Sequence, residues 1–375
     1  MCCVKGRDAL TDDAASTKKD ITDMIDIKSM TIEELTDWVV QNGEPKFRAA
    51  QLFSWLHEKH ARSLDEMTNL PKSLREKLAG QVTFVKEITR QQSKSDGTIK
   101  FLYAMEDGQM IETVWMPHDY GNSICISSQA GCRMGCRFCA STIGGLVRNL
   151  TAAEMLEQVY ASLSATSERL SNLVVMGTGE PLDNYDNLIR FIHLISHEKG
   201  YNLSTRSITV STCGLVPEIK RLSNENLPIT LALSLHATTD EERKALMPIA
   251  NKYSIDEVLK ACDYYFEKTG RRVSYEYSLV KGVNDSPEHA KRLSKLLKGR
   301  NAHVNLIPVN PVKERDFKAS DNNSVKEFKF ILEKNSINGT IRRSVGSDID
   351  AACGQLRRKM TRAMEEDTDE VLRKD

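Results

Sequence analysis

The sequence predicts an α/β protein: a partial (β/α)6 barrel, preceded by a small N-terminal helical domain and an antiparallel β extension. Three observations predict it. From residue 123 onward, short apolar runs alternate with helical patterns six times, as in a parallel sheet covered by helices on its outer face. Between 82 and 116, strand-like runs are separated by Ser95-Asp96-Gly97 and Glu106-Asp107-Gly108, both hairpin signals. Over roughly 30–79, apolar residues recur at helical spacing.

The elements follow in order. Residues 1–29 are polar, mixed in charge and without periodicity, as expected of a mobile extension. Thr31-Ile-Glu-Glu34 is a capping box ahead of Leu35, Trp38 and Val39, and Gly43 stops that helix. A second helix fits 46–58, and Pro71 opens a third with Leu74 and Leu78. This helical domain spans 30–80, and the β extension spans 81–117, ending in Ile111-Glu-Thr-Val-Trp-Met116. In the barrel, 118–350, the expected strands are 123–128, 171–176, 207–212, 228–235, 272–280 and 302–309. The expected helices are 151–165, 185–198, 216–224, 239–270 (broken) and 286–298. Thr151-Ala-Ala-Glu154 is a second capping box, and Ser286-Pro287 is an N-cap followed by a first-turn proline. Six units make an incomplete barrel, whose chemistry belongs on the loops at the carboxyl ends of its strands. Residues 351–375 form a C-terminal segment with Cys353 and a charged tail from Arg357.

Composition narrows the class. Hydrophobic residues are 40% and charged residues 28%, which suits a globular core and excludes a disordered chain. Fifty-two basic and 52 acidic residues cancel, so net charge neither suggests nor excludes a nucleic-acid partner. The N-terminus lacks the apolar stretch of a secretory signal, and no apolar run approaches the ~20 residues of a membrane span. The expectation is therefore a cytoplasmic protein with reduced thiols and no membrane partner. Its nine cysteines are then no disulfide scaffold.

Three of them, Cys132, Cys136 and Cys139, form a CxxxCxxC motif after the first barrel strand. Three thiolates can hold three irons of a [4Fe–4S] cube and leave the fourth open. S-adenosylmethionine (SAM) can chelate that iron through its amino and carboxylate groups. Gly131 and Gly135 suit a loop wrapped closely on a cube. Zinc is the alternative, but it asks for four ligands, commonly in pairs, and no Cys or His follows at finger-like spacing. Purely structural thiols are the third reading.

The motif in this position resembles the radical SAM superfamily. Ser123-Ile-Cys125-Ile-Ser-Ser-Gln-Ala-Gly-Cys132, Met176-Gly-Thr-Gly-Glu-Pro181, Ser234-Leu-His236 and Asp348-Ile-Asp-Ala-Ala-Cys353-Gly-Gln-Leu356 narrow the resemblance. Together, over roughly 30–357, they resemble the RlmN-type dual-specificity adenine-C2 RNA methyltransferases. The related Cfr type, which methylates carbon 8 of the same ribosomal adenine and confers antibiotic resistance, usually carries Gly-Glu-Ala where this chain has Gly179-Glu180-Pro181. Thr178 and Cys213 stand where family members often carry other residues.

The resemblance implies a mechanism. Cys353 takes a methyl group from one SAM, and a second SAM on the cluster yields a 5′-deoxyadenosyl radical that removes hydrogen from the S-methyl group. The methylene radical adds to carbon 2, a residue matching Glu112 removes the carbon-2 proton, and Cys125 resolves the adduct through a transient disulfide. It also implies SAM contacts at Gly179, Glu180, Ser211, Ser234, Leu235, His236 and Asn310. The substrates it implies are 23S rRNA at the peptidyl-transferase centre and tRNA just 3′ of the anticodon, with a flavodoxin- or ferredoxin-type electron donor and a monomeric enzyme.

Each residue also has a plainer reading. Cys353 beside alanines suits a core, and Cys125 suits one face of a strand. Glu112 suits a solvated strand face, and the serines, Leu235, His236 and Asn310 suit ordinary strand ends. Cys213 and Cys262 read as core, and Cys2 and Cys3 as idle. Arg133, Arg137 and Arg148 flank the cysteine loop and could meet phosphate. Lys46, Arg48, Lys59, His60, Arg62 and Lys72, with Arg75 and Lys77, make the helical domain the candidate for RNA docking. A ribosome-assembly protein that binds RNA and carries a merely structural cluster is the non-catalytic alternative.

Overall fold

The computed structural model describes residues 26–309, 316–342, 345–346, 348–349 and 354–361. The N-terminal domain holds α1 (Ile32–Gln41), α2 (Phe47–Phe53), extended by a π turn to Glu58, and α3 (Lys72–Leu78). The Thr31 hydroxyl accepts the Glu34 N–H and the Glu34 carboxylate accepts the Thr31 N–H, so the expected capping box starts α1.

An antiparallel unit follows: β1 (Lys86–Gln92), β2 (Ile99–Ala104) and β3 (Met110–Met116). Next come β4 (Asn122–Ile126) and a small ladder of β5 (Gln129–Gly131) with β6 (Leu146–Asn149), which carries the cysteine loop between its strands. The β/α alternation is α4 (Ala152–Thr166), β7 (Leu170–Val175), α5 (Tyr185–Ile195), β8 (Ile208–Thr212), α6 (Val216–Leu222), β9 (Thr230–Ser234), α7 (Asp240–Leu246) and α8 (Ile255–Thr269). It continues through β10 (Val273–Leu279), α9 (Pro287–Leu297), β11 (Ala302–Pro308), α10 (Asn322–Lys334) and β12 (Asn338–Ile341).

One sheet has the order β1-β2-β3-β4-β7-β8-β9-β10-β11-β12. It is antiparallel up to β4 and parallel from β4 to β12. Alternation sorts its two faces. Ile124, Ile126, Leu173, Val175, Ile208 and Val210 enter the core under the helices. Ser211, Ser234, Ser274, Glu276 and Asn305 belong to the opposite set, which is polar there and apolar at β3, β4 and β7. A cavity of about 310 Å³ is lined from Met116 on β3 to Arg342 just past β12, so the sheet curls around its polar face.

The six expected strands and five expected helical stretches are present, no end shifted by more than three residues and the broken stretch divided into α7, a 3-10 turn and α8. Three points differ. The alternation runs one unit further, through α10 and β12; four residues including Gly339 are too few for β12 to show alternation in the sequence. The β extension is no separate layer, because Val114 on β3 pairs with Cys125 on β4 and the sheet runs on into the barrel. Residues 27–29, assigned to the extension, form a buried 3-10 turn.

That turn locks the domains together. Lys28 Nζ lies 2.5 Å from Glu157 on α4 and donates to the Thr83 carbonyl at 2.6 Å. Glu157 also meets Arg62 at 2.5 Å and accepts the Val85 N–H at 3.0 Å. Lys28 and Glu157 are fully buried, so neither charge has water to fall back on. Nearby, His57 Nδ1 lies 3.1 Å from the Tyr160 hydroxyl and His60 stacks on the Tyr160 ring. Among the described residues no helix is long and apolar enough to cross a membrane.

Two outcomes follow. Lys28→Met strands part of the Glu157 charge and lowers the unfolding free energy by about 3 kcal/mol in a urea titration. Burial pulls His57 down to about 3 and His60 to about 4. Unfolded chains take protons at these sites below about pH 6.5 and the folded protein does not, so stability is lost as pH falls below that value. Each histidine contributes up to about 1.4 kcal/mol per pH unit. Urea titrations at pH 7.5 and 5.5 measure the loss, and it is smaller in His60→Asn, a residue that tolerates the left-handed backbone there.

Candidate active site

The cysteine loop is shaped by backbone. Gly131 (φ +83°) has no room for a Cβ, which would strike the Gly145 carbonyl oxygen. That oxygen accepts the Cys132 N–H at 2.9 Å. The Thr142 hydroxyl donates to the carbonyls of Cys136 and Cys139, and the Arg137 N–H donates to the Leu246 carbonyl at the end of α7. Cys132 and Cys136 are buried and Cys139 is half-buried, with Met134, Phe138, Leu246, Met247 and Ile249 packed around them. Burial pushes the Cys132 thiol up to about 12, and Cys136 is raised too, each further opposed by neighbouring thiolate charge. Three such thiols are thiolates together only around a cation. Among the described residues, no three His, Cys, Asp or Glu side chains converge on a single-ion site. A cubane asks for no such convergence, because each thiolate takes a different iron. The three thiols therefore suit a cluster.

The end of β7 faces this loop. Gly179 (φ +111°) would place a Cβ 2.7 Å from Ser128 Oγ and 2.8 Å from the Gln129 backbone nitrogen, so only glycine fits. Glu180 is buried beneath it. Its carboxylate accepts the Leu182 N–H at 3.3 Å and the Cys213 N–H at 2.8 Å, bridging the ends of β7 and β8. Burial raises its pKa, against the pull of those hydrogen bonds. Its own N–H donates to Gln129 Oε1 on β5, the strand that leads into the cysteine loop, at 2.8 Å.

Around the mouth, the Ser211 hydroxyl donates to the Val175 carbonyl at 3.0 Å. Ser234 is half-buried at the end of β9. His236 follows with a left-handed backbone (φ +57°) and meets Phe138 of the cysteine loop edge-on at 4.9 Å. Its Nδ1 accepts the Ser278 N–H at 2.9 Å, so the ring proton sits on Nε2. Burial pulls its pKa down to about 3, which keeps the ring neutral. Asn284 fixes this corner by donating to the His236 and Ser278 carbonyls, each at 2.7 Å, and accepting the Val280 N–H at 2.8 Å. Leu235 does not face the mouth: its side chain is in the core, and only its backbone lies along the rim. Asn310 and Cys353 lie outside the described residues.

Glu112 and Cys125 belong to one face of neighbouring strands, Cys125 among Val114, Met116, Val174 and Met176. Glu112 is not on a solvated face: it is 4% exposed and paired with buried Lys100 at 2.9 Å. It also accepts the Gly354 N–H at 2.5 Å and the Arg357 N–H at 2.8 Å. The expected charged tail thus begins as a docked helical segment over 355–361, with Leu356 buried.

Comparison with known proteins decides the family. Residues 126–293 match the Radical SAM superfamily, and residues 25–84 match the Ribosomal RNA large subunit methyltransferase N-terminal domain. A probable dual-specificity RNA methyltransferase RlmN of Lachnoclostridium phytofermentans is 60% identical over 91% of this chain and 96% of its own. Its counterpart in Lachnospira eligens is 58% identical over 92% and 99%. The chain belongs to the RlmN family of radical SAM enzymes. The crystal structure of a radical SAM methyltransferase from Sphaerobacter thermophilus superposes with a TM-score of 0.85 at 43% identity, covering 88% of this chain and 98% of that one.

Membership of the RlmN family implies a [4Fe–4S] cluster and SAM, which the thiol chemistry of the loop fits. Several basic residues are already engaged. Arg148 is paired with Asp107 at 2.6 Å and doubly with Glu154. Arg133 is paired with Asp183, Arg62 with Glu157, and His60 is packed inward. Arg137, Lys46, Lys59, Lys72 and Lys77 remain exposed. The sequence did not single out Lys100 or Asn284, whereas Cys213, expected in the core, is buried there. Only Asn284 left a trace, in the Gly282-Val-Asn-Asp turn after β10.

In this RlmN-family chain, Gly179→Ala lowers stability by about 1–3 kcal/mol through the forced left-handed backbone and displaces Glu180. Thermal unfolding registers the first effect. With Glu180 as the SAM contact proposed below, equilibrium dialysis with SAM registers the second as an affinity reduced tenfold or more.

Proposed function

We propose that this enzyme makes 2-methyladenosine in RNA, with Cys353 as carbon carrier, Cys125 as resolving thiol and Glu112 as proton acceptor. The observation that carries the reading is the grip of Glu112 on the Gly354 and Arg357 N–H groups. It ties the segment that follows Cys353 to the sheet face that holds Cys125.

Cys132, Cys136 and Cys139 would hold the cluster, and Gly179, Glu180, Ser211, Ser234, His236, the Leu235 backbone and Asn310 would receive SAM. When bound, these groups supply one electron and a 5′-deoxyadenosyl radical. Carbon 2 of adenine is electron-poor between two ring nitrogens, so a carbon radical can add where a methyl cation equivalent cannot. The Cys353 thiolate first takes a methyl group and displaces S-adenosylhomocysteine. Once that carbon is joined to the base, the less occupied Glu112 Oε1 takes the carbon-2 proton, and the odd electron left on the ring would return to the cluster that the three cysteines would hold. The Cys125 thiolate then attacks the Cys353 sulfur, forming the S–S bond and breaking the S–C bond; the electron pair left on the departing carbon takes a proton, which completes the methyl group and releases the base. The cycle uses two SAM molecules, one for the methyl group and one for the radical. Gly179-Glu180-Pro181 supports carbon 2 over carbon 8.

The resemblance supports 23S rRNA and tRNA as substrates, a flavodoxin- or ferredoxin-type protein as donor, and a monomeric enzyme in the cytoplasm. Exposed Lys46, Lys59 and Lys72 leave the helical domain a candidate for RNA docking.

Two variants test the route. Cys353→Ala retains its iron and loses methyl transfer by more than a thousandfold. Cys125→Ala accumulates a covalent protein–RNA adduct on denaturing gels. Mass spectrometry of the digested RNA from the unaltered enzyme shows 2-methyladenosine; 8-methyladenosine in its place refutes the carbon-2 assignment, and full activity of Cys353→Ala refutes the route.

A further inference from the structure

Arg243 on α7 is 0% exposed and appears in none of the ion pairs found among the described residues. Its guanidinium caps the ends of two strands: Nη2 donates to the Cys213 carbonyl at 2.6 Å and the Ser234 carbonyl at 3.2 Å, and Nε to the Leu235 carbonyl at 3.3 Å. Buried Nη1 has no hydrogen-bond partner. Gly214 (φ +101°) makes room for the group; a Cβ there would lie 3.2 Å from Nη2.

A fully buried cation whose hydrogen bonds go only to carbonyls is costly, and such charges are ordinarily paired. The last turn of α7 touches the cysteine loop: the Leu246 carbonyl holds the Arg137 N–H, and Leu246 and Met247 pack on Cys136 and Cys213. Cys213, whose carbonyl the guanidinium holds, packs in the same apolar cluster as Cys136. Among the described residues no carboxylate pairs with it: Glu180 is held by the backbone amides of Leu182 and Cys213, and Asp240, whose charge reaches Arg243 from the same helix, accepts the Ile255 N–H instead.

We propose that Arg243 is the counter-charge of the iron–sulfur cluster, its free Nη1 directed to cluster or Cys136 sulfur, and that it eases the cluster's one-electron reduction. The inference rests on the cluster reading above. Reduction adds one negative charge, so a fixed cation in a poorly screened interior favours the reduced form.

The test is an EPR-monitored redox titration of the anaerobically reconstituted protein, with Arg243→Gln, which removes the charge, and Arg243→Lys, which keeps it. The expected result is a reduction equilibrium at least tenfold less favourable in Arg243→Gln, a midpoint lower by ~59 mV or more for one electron, with most of the shift recovered in Arg243→Lys. A merely structural cap would lower thermal stability in both and leave the midpoint in place, and that result overturns the proposal. Should Arg243→Gln not fold, pulsed EPR of the reduced cluster in ¹⁵N-arginine protein carrying Arg133→Lys and Arg137→Lys decides instead. Nitrogen coupling supports the proposal, and its absence overturns it. Iron and sulfide counts near zero in the unaltered chain would sink the cluster reading and this one together, whereas an unmoved midpoint sinks this one alone.

Discussion

Three thiols crowded into an apolar loop oppose one another's ionisation, and burial opposes it further. That constraint organises the site. The loop is closed by a β5–β6 ladder, by the Gly145 carbonyl and by a bond to the end of α7, and these contacts fix where the thiols sit. Such a loop is stable as thiolates only with positive charge in its centre. Iron supplies that charge, and an RlmN-family chain supplies the setting.

The second organising feature is continuity of the sheet. Because β3 pairs with β4, a carboxylate from the antiparallel extension and a cysteine from the first barrel strand share one face. Glu112 is buried there at the cost of desolvation, which Lys100 and two backbone N–H groups offset. The same carboxylate draws in the C-terminal segment. The long separation between residues 112 and 354 is thus closed by a few charge-assisted bonds.

Much of this was legible in the sequence. The capping boxes at Thr31 and Thr151, the two hairpin turns and the six barrel strands are local signals, and local propensity agrees with the fold. The CxxxCxxC spacing and the Gly179-Glu180 loop were legible for the same reason, since close backbone approach leaves glycine no substitute. The long-range pairings were not legible. Lys28 and Arg62 look like surface charges until Glu157 comes between them. Arg148 looks free for phosphate until Asp107 and Glu154 take it. Arg243 sits in Asp-Glu-Glu-Arg-Lys, a pattern of solvated helix, and only the packing of α7 on the cysteine loop turns it inward. Cys213 lies in the core as expected, and only its backbone N–H, held by Glu180, joins the site.

The central claim is an iron that three cysteines leave open for SAM. It is tested most directly by anaerobic reconstitution, metal and sulfide analysis, and pulsed EPR of the reduced cluster with SAM labelled with ¹⁵N at its amino group. The account predicts about four irons and four sulfides per chain and nitrogen coupling from the bound amino group. Zinc in place of iron, or a reduced cluster with no coupling to the labelled SAM, would contradict it.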